Sequence, residues 1–111
     1  MRVLILNPNT TAKITDLLVA AATEVADPST ENVATTASRG VPYSSTRCEA
    51  PIGGSIAIEC LAGRHAEVDA AIIAAFGDPS LLAARELSDI PVCTENLNSD
   101  IVVMKSAEHR V

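Results

Sequence analysis

Aromatic side chains are almost missing from this chain, which holds one Tyr, one Phe and no Trp. Its 111 residues are 48% apolar, so the core has to be assembled from Ala, Val, Ile and Leu. Small and β-branched packing of that kind suits helices lying close on a parallel sheet. Positive charge is also scarce, and the net charge is −6. That balance argues against a nucleic-acid partner, whose phosphates require a basic patch. The three cysteines, Cys48, Cys60 and Cys93, are odd in number, widely spaced and form no C-x-x-C pair. His65 and His109 add no zinc-like spacing, so neither a disulfide framework nor a metal site is expected. A reduced, intracellular protein is the simplest reading. Long hydrophobic runs are lacking too. The apolar stretch Val3 to Leu6 is cut short by Asn7-Pro8-Asn9, too early for a secretory signal or a bilayer span. A cytoplasmic location and no membrane partner are the resulting expectations.

What is present is an alternation of elements. Arg2 to Leu6 reads as a buried parallel strand ending at Asn7-Pro8-Asn9. A helix follows from about Thr11, its apolar residues Ile14, Leu17, Leu18, Ala21, Ala22 and Val25 spaced as one face. Asn9, Thr10 or Thr11 is placed to cap it, and Asp27-Pro28 to end it. Asn32 to Ala37 is a β-branched strand. Ser38 to about Gly54, with Gly40, Pro42, Pro51, Gly53 and Gly54, fits no period and reads as a long loop. A second helix is predicted over Ser55 to His65, a third strand over Asp69 to Phe76, and a third helix opened by Asp78-Pro79 and running to Leu87. Ile90 to Thr94 makes a fourth strand. The order βαβαβαβ predicts an α/β fold: a four-stranded parallel sheet in the flavodoxin-like order 2-1-3-4, with helices on both faces. Residues 1–94 form the α/β unit. Residues 95–111 form a divergent tail, expected to be poorly ordered, in which no further βα unit is completed.

In that strand order the first and third strands are neighbours, and ligands bind at the crevice outside their carboxyl ends. Two loops meet there, Asn7-Pro8-Asn9-Thr10-Thr11 and Phe76-Gly77-Asp78-Pro79, each leading into a helix N-terminus. Converging backbone N–H groups and positive dipole ends suit a carboxylate or another small anion. The long loop adds Arg39, Tyr43, Ser44, Ser45, Thr46 and Arg47, hydroxyls and cations that a lid would bring to the same ligand. On the residues alone, however, Asn7 to Thr11 reads first as a turn with a helix cap, and the long loop as a plain surface loop.

Three segments in order resemble one family. Met1 to Thr11 (M-R-V-L-I-L-N-P-N-T-T) is similar to the opening of the aspartate/glutamate/hydantoin racemases. Gly40 to Arg47 (G-V-P-Y-S-S-T-R) resembles that family's G-x-P-Y-x-x-S-R loop. Ala74 to Pro79, followed by Ala84-Arg85-Glu86, resembles its A-C-F-G-D-P and A-R-E segments. The resemblance covers roughly residues 1–94, the N-terminal half of such an enzyme. It implies two similar α/β halves with the active site between them and one cysteine from each half, base on one face of the stereocentre and acid on the other. Inversion requires that geometry, because the proton leaves from one side and returns on the opposite one. A helix N-terminus would favour each thiolate, and hydroxyls and backbone N–H groups would hold an enolate-like intermediate. No cofactor is implied: neither metal, pyridoxal phosphate nor flavin.

Carried over residue by residue, the resemblance assigns ligand contacts to Asn7, Asn9, Thr10, Tyr43, Ser45, Arg47, Gly77 and Asp78; the family's loop serine aligns with Ser45 or with Thr46. The first catalytic cysteine falls on position 75, which here is Ala75. A methyl group carries no proton in either direction, and the second cysteine belongs to the other half, so no catalytic residue is assigned. Cys93, at the end of the fourth strand, and Cys48, beside the Arg47 cation, are the alternative thiols, and both read as ordinary residues. Cys60 reads as mid-helix packing. The sequence therefore points to a cofactor-independent isomerase family but to a chain without its proton carriers. It reads as a pseudoenzyme that binds a small carboxylate or cyclic ureide, or as a truncated fragment of a racemase-family protein. A lone half is also expected to form a homo-oligomer through the surface that meets its partner half.

Overall fold

The computed structural model describes residues 1–42, 46–74 and 80–94. Strand β1 (Arg2–Asn7) is followed by helix α1 (Ala12–Val25), strand β2 (Glu31–Thr36), helix α2 (Glu49–Arg64), a single 3₁₀ turn (His65–Glu67), strand β3 (Ala70–Ile73), helix α3 (Leu81–Leu87) and strand β4 (Val92–Thr94). All the strand pairs are parallel, and the sheet order is β2-β1-β3-β4, the flavodoxin-like arrangement that the alternation of elements predicts. Each crossover helix can pack back onto a right-twisted sheet in only one hand. Consecutive apolar residues in β1 serve both sides of the sheet because side chains alternate. Leu4 and Leu6 join Ala71, Ile73 and Val92 under α2 and α3, where Ala57, Leu61 and Ala84 complete the packing. Val3 joins Ala70, Ile72 and Cys93 on the other face, against Ala22 and Ala26 of the α1 segment.

Helix α1 turns inward only Ile14, Leu18 and Ala22 of the face that its hydrophobic spacing indicates. Leu17 and Val25 are 63% and 53% exposed, and Ala21 is exposed with them. The inward side is Ile14, Thr15, Leu18, Val19 and Ala22, with Thr15 itself buried. The physical reason is the hydroxyl of Thr15, which is turned toward a polar group at the end of β1 and rotates the helix with it. Thr11 takes the N-cap position of α1 but makes no side-chain cap; its hydroxyl donates instead to the Pro42 carbonyl at 2.9 Å.

Helix α2 starts at Glu49, six residues before the expected Ser55, and shortens the long loop by as much. Thr46 and Glu49 explain the earlier start. The Glu49 N–H donates to Thr46 Oγ1 at 3.2 Å, the Thr46 hydroxyl donates to the Glu49 carboxylate at 2.9 Å, and the Ala50 N–H reaches the Thr46 carbonyl. These bonds tie Thr46 to the first residues of the helix, whose N-cap position is taken by Cys48. Pro51 falls in the first turn, where a missing N–H costs little. Gly53 and Gly54 are buried, and Gly53 lies against Pro8.

β1 runs one residue past the expected Leu6, to Asn7, and β2 lies one residue earlier than the expected Asn32 to Ala37. β3 and β4 are shorter than the runs 69–76 and 90–94, and α3 begins after Ser80 rather than at Asp78-Pro79. Phe76, Asp78, Pro79 and the tail 95–111 lie outside the described residues. Arg85, in the last turn of α3, donates through Nε to the Val92 carbonyl at 3.0 Å and fastens that helix to β4. No helix among the described residues is long and apolar enough to cross a membrane.

Two glycines behave oppositely. Gly63 lies on the exposed side of α2, and a Cβ there would meet nothing within 4 Å. Gly40 has φ +118°, a conformation that L side chains rarely adopt. Gly63→Ala is therefore expected to raise stability by about 0.5–1 kcal/mol in urea unfolding. Gly40→Ala is expected to lower it by roughly 1–2 kcal/mol. Equal effects of the two substitutions would contradict this assignment.

Candidate functional site

The carboxyl ends of β1 and β3 meet at the centre of the sheet. β1 stops at Asn7, which is fully buried. Its Nδ2 donates to the Thr11 carbonyl at 3.1 Å and to Thr15 Oγ1 at 3.0 Å, so both amide protons are used. Its Oδ1 accepts the Asn9 N–H at 2.9 Å, closing a tight turn around Pro8. Its backbone carbonyl accepts the Ala37 N–H at 3.0 Å, one residue beyond the end of β2. Thr36, the register partner of Asn7 on β2, shares a 2.6 Å hydrogen bond with the Thr15 hydroxyl.

This turn delivers Asn9 and Thr10 to the mouth of the crevice. Both are half-buried. Asn9 Oδ1 is shielded from solvent and has no hydrogen-bond partner among the described residues. The Thr10 N–H donates to the Val41 carbonyl at 3.0 Å, and with the Thr11–Pro42 bond it ties the start of the long loop to the N-terminus of α1. Gly40 lets that loop pass close to Pro8 and Ile56. The structure thus brings Asn7, Asn9 and Thr10 together with Val41 and Pro42 at the start of the long loop.

Arg47 sits in the turn that opens α2 and is exposed. Arg2, Arg39 and Arg64 are held in ion pairs and Arg85 on a carbonyl, whereas Arg47 has no such partner among the described residues. On the β3 side, the Ala74 N–H donates to the Leu6 carbonyl at 2.9 Å, extending the β1–β3 pairing to the last residue before position 75. Ala75, Gly77 and Asp78, together with Tyr43 and Ser45 of the loop, lie outside the described residues. A shallow groove of about 260 Å³ opens between α2 and the start of α3, lined by Pro51, Gly54, Ser55, Ile58 and Ser80. None of the expected contacts lines it.

Thr15 and Thr36 are the residues that sequence reasoning missed, whereas Thr46 was named in the long loop but not at the start of α2. Thr46 had a legible signal, the T-x-x-E spacing to Glu49. Thr15 and Thr36 had none, because one interrupts an apolar helix face and the other ends an ordinary β-branched strand.

The cysteines separate cleanly. Cys93 is buried against Val3, Ala70 and Ile72, on the α1 side of the sheet. Cys60 packs against the cluster under α2 and α3, and burial, reinforced by the neighbouring Glu59 carboxylate, raises its thiol pKa. Cys48 is exposed at the N-cap position of α2. No group of three or more His, Cys, Asp or Glu side chains suited to a metal ion occurs among the described residues.

Two outcomes are expected from this geometry. With a thiol reagent at mildly alkaline pH, Cys48 reacts first, Cys60 more slowly, and Cys93 only as the protein unfolds; peptide mapping over time reads the order. Asn7→Asp replaces two N–H donors with an oxygen facing the Thr11 carbonyl, so the buried acid ionises less readily folded than unfolded. Its destabilisation relative to Asn7 is therefore expected to be small near pH 4 and to grow as pH rises toward about 7. A loss independent of pH, followed by urea unfolding, would count against the buried contacts of Asn7.

Residues 3–94 match the Asp/Glu/Hydantoin racemase family. The chain is 36% identical over 94 residues to a hydantoin racemase from Paenarthrobacter aurescens, covering 83% of this chain and 40% of that protein. It is 34% identical over 93 residues to a hydantoin racemase from Pseudomonas sp. (strain NS671), covering 83% and 37%. Among solved structures, an allantoin racemase from Klebsiella pneumoniae superposes with a TM-score of 0.79 at 41% identity, covering 85% of this chain and 39% of that one. An allantoin racemase from Pseudomonas fluorescens gives 0.79 at 31% identity, covering 85% and 40%. The chain thus spans about two fifths of the length of these relatives. On this match the chain belongs to the Asp/Glu/Hydantoin racemase family.

Proposed function

We propose that this chain is a ligand-binding racemase-family half that holds a small carboxylate or cyclic ureide at the carboxyl ends of β1 and β3 without inverting it. One observation carries the reading: Ala75 stands where the family resemblance places the first proton-carrying thiol. Racemisation through two thiols needs a carrier on each face of the stereocentre, and an alanine methyl is neither acid nor base. The frame around that position supports binding. Asn9 offers a sheltered acceptor at the crevice, Thr10 stands beside it, and Arg47 is a cation without an ion-pair partner among the described residues. A carboxylate suits Arg47 and the α1 N-terminus, whereas a ring N–H suits the acceptor of Asn9. The hydantoin and allantoin racemases that the chain resembles make cyclic ureides the first ligands to try. Tyr43, Ser45, Gly77 and Asp78 complete the proposed contact set.

A second copy of the chain is the proposed protein partner. Leu17 on α1 and Leu82 on α3 are 63% and 77% exposed, apolar side chains on the two sides of the sheet that a second copy would cover. A monomer at high concentration on size-exclusion chromatography would remove that partner from the proposal.

Calorimetric titration with allantoin, a 5-substituted hydantoin and L-glutamate tests the main reading. Heat of binding is expected for at least one ligand, with no change in optical rotation of any of them over hours. Absence of heat above buffer for all three would overturn the binding function. Loss of optical rotation would overturn the absence of catalysis.

A further inference from the structure

We infer that Thr15 and Thr36 are positioning residues for this site: their paired hydroxyls fix the Asn7 carboxamide, and through it the turn that presents Asn9 and Thr10. The inference deepens the proposed binding function and rests on it for its ligand. Its geometry stands independently.

Asn7 and Thr36 are register partners on adjacent parallel strands, so their side chains leave the sheet on the same face. That face is the one α1 covers, and Thr15 reaches it from the second turn of the helix. The three side chains form one chain of hydrogen bonds, from Asn7 Nδ2 to Thr15 Oγ1 at 3.0 Å and from there to Thr36 Oγ1 at 2.6 Å. Thr15 is only 5% exposed and Asn7 not at all, so water does not supply the alternatives.

The consequence is a fixed amide orientation. With Nδ2 committed to Thr15 Oγ1 and the Thr11 carbonyl, Oδ1 is held toward the Asn9 N–H. Flipping the amide would set its NH₂ against the Asn9 N–H and its oxygen against the Thr11 carbonyl, two repulsive contacts in a buried place. Without an acceptor at position 15, one Nδ2 proton is left unpaired, and the carboxamide is free to swing toward another partner. A hydroxyl pair is a costly way to fill space between a helix and a sheet, since apolar side chains of the same size pack there without any polar requirement. The gain lies at the far end of the chain of bonds, in the Asn9 turn.

The test separates positioning from plain stability. Thr15→Val keeps the shape and removes the hydroxyl, Thr15→Ser keeps the hydroxyl, and Val68→Ala lowers stability from the cluster on the opposite side of the sheet. The first readout is the Asn9 backbone amide, by its NMR shift and its hydrogen-exchange protection relative to β3 amides. Thr15→Val is expected to shift that resonance and to lower its relative protection about tenfold, the equivalent of one hydrogen bond. Thr15→Ser restores both, and Val68→Ala leaves both unchanged. The second readout is allantoin binding by calorimetry, expected to weaken about tenfold in Thr15→Val and to return in Thr15→Ser. If Thr15→Val does not fold, Thr36→Val, on the half-buried partner, carries the same expectations. An Asn9 amide unmoved by loss of either hydroxyl, or moved equally by Val68→Ala, overturns the inference. Failure of the unsubstituted protein to bind allantoin, glutamate or a hydantoin overturns the ligand reading instead, while the Asn9 amide still decides the positioning role.

Discussion

β1 ends inside the protein, and a strand that ends where water is excluded leaves peptide groups with no ladder to join. Asn7 resolves this with one side chain. Its carboxamide takes up the Asn9 N–H and the Thr11 carbonyl, and its own backbone oxygen takes up the Ala37 N–H. The turn around Pro8, the entry into α1 and the exit from β2 are thereby fastened to a single buried group. Much else follows from it. Thr15 must face inward to meet the amide, which sets the rotation of α1; the start of the long loop then has to run beside the N-terminus of that helix, where Thr10 and Thr11 hold it.

Polar positioning around Asn7, Asn9 and Thr10 is intact, and Arg47 is within the loop whose first part is tied down. At position 75 stands a residue without chemistry. Proton transfer and ligand orientation are separable tasks, and in this family the resemblance assigns them to different residue types: thiols for the first, amides, hydroxyls and a guanidinium for the second. Asn7 and its hydrogen-bond partners satisfy the buried end of β1, so they are held in place whatever residue stands at position 75.

Much of the architecture was legible from residue pattern. The unbroken apolar run of β1, the punctuation by Asn7-Pro8-Asn9 and the alternation of helices with strands were enough to set the parallel sheet and its order. The rotation of α1 was not legible, because periodicity counts apolar residues and the decisive inward residue is a threonine. The start of α2 was obscured by Pro51, Gly53 and Gly54, residues that discourage a helix interior but are harmless in a first turn or useful against Pro8. The Thr46–Glu49 pair was present and would have outweighed them. Asn7, Asn9 and Thr10 were placed at the crevice by the strand order and the family resemblance, whereas Thr15 and Thr36 come together only by strand register and helix rotation, neither of which spacing along the chain reveals.

Alternation along β1 has one further consequence, for redesign. Leu4 and Leu6 project under α2 and α3 into a largely apolar layer, crossed on the β2 side by the Arg64–Thr35 hydrogen bond, whereas Val3, Ile5 and Asn7 project toward α1, where the packing ends in a polar network. The two halves of the interior therefore obey different rules. Beneath α2 and α3, volume is the main constraint, and compensating exchanges among Leu61, Ile73, Ala84 and their neighbours leave the crevice untouched. At the Asn7 end of the α1 side, donors and acceptors have to be matched one by one, and a change of shape at any of them is transmitted to the Asn9 turn. Engineering for stability belongs on the first side and engineering for specificity on the second, with a single strand as the partition between them.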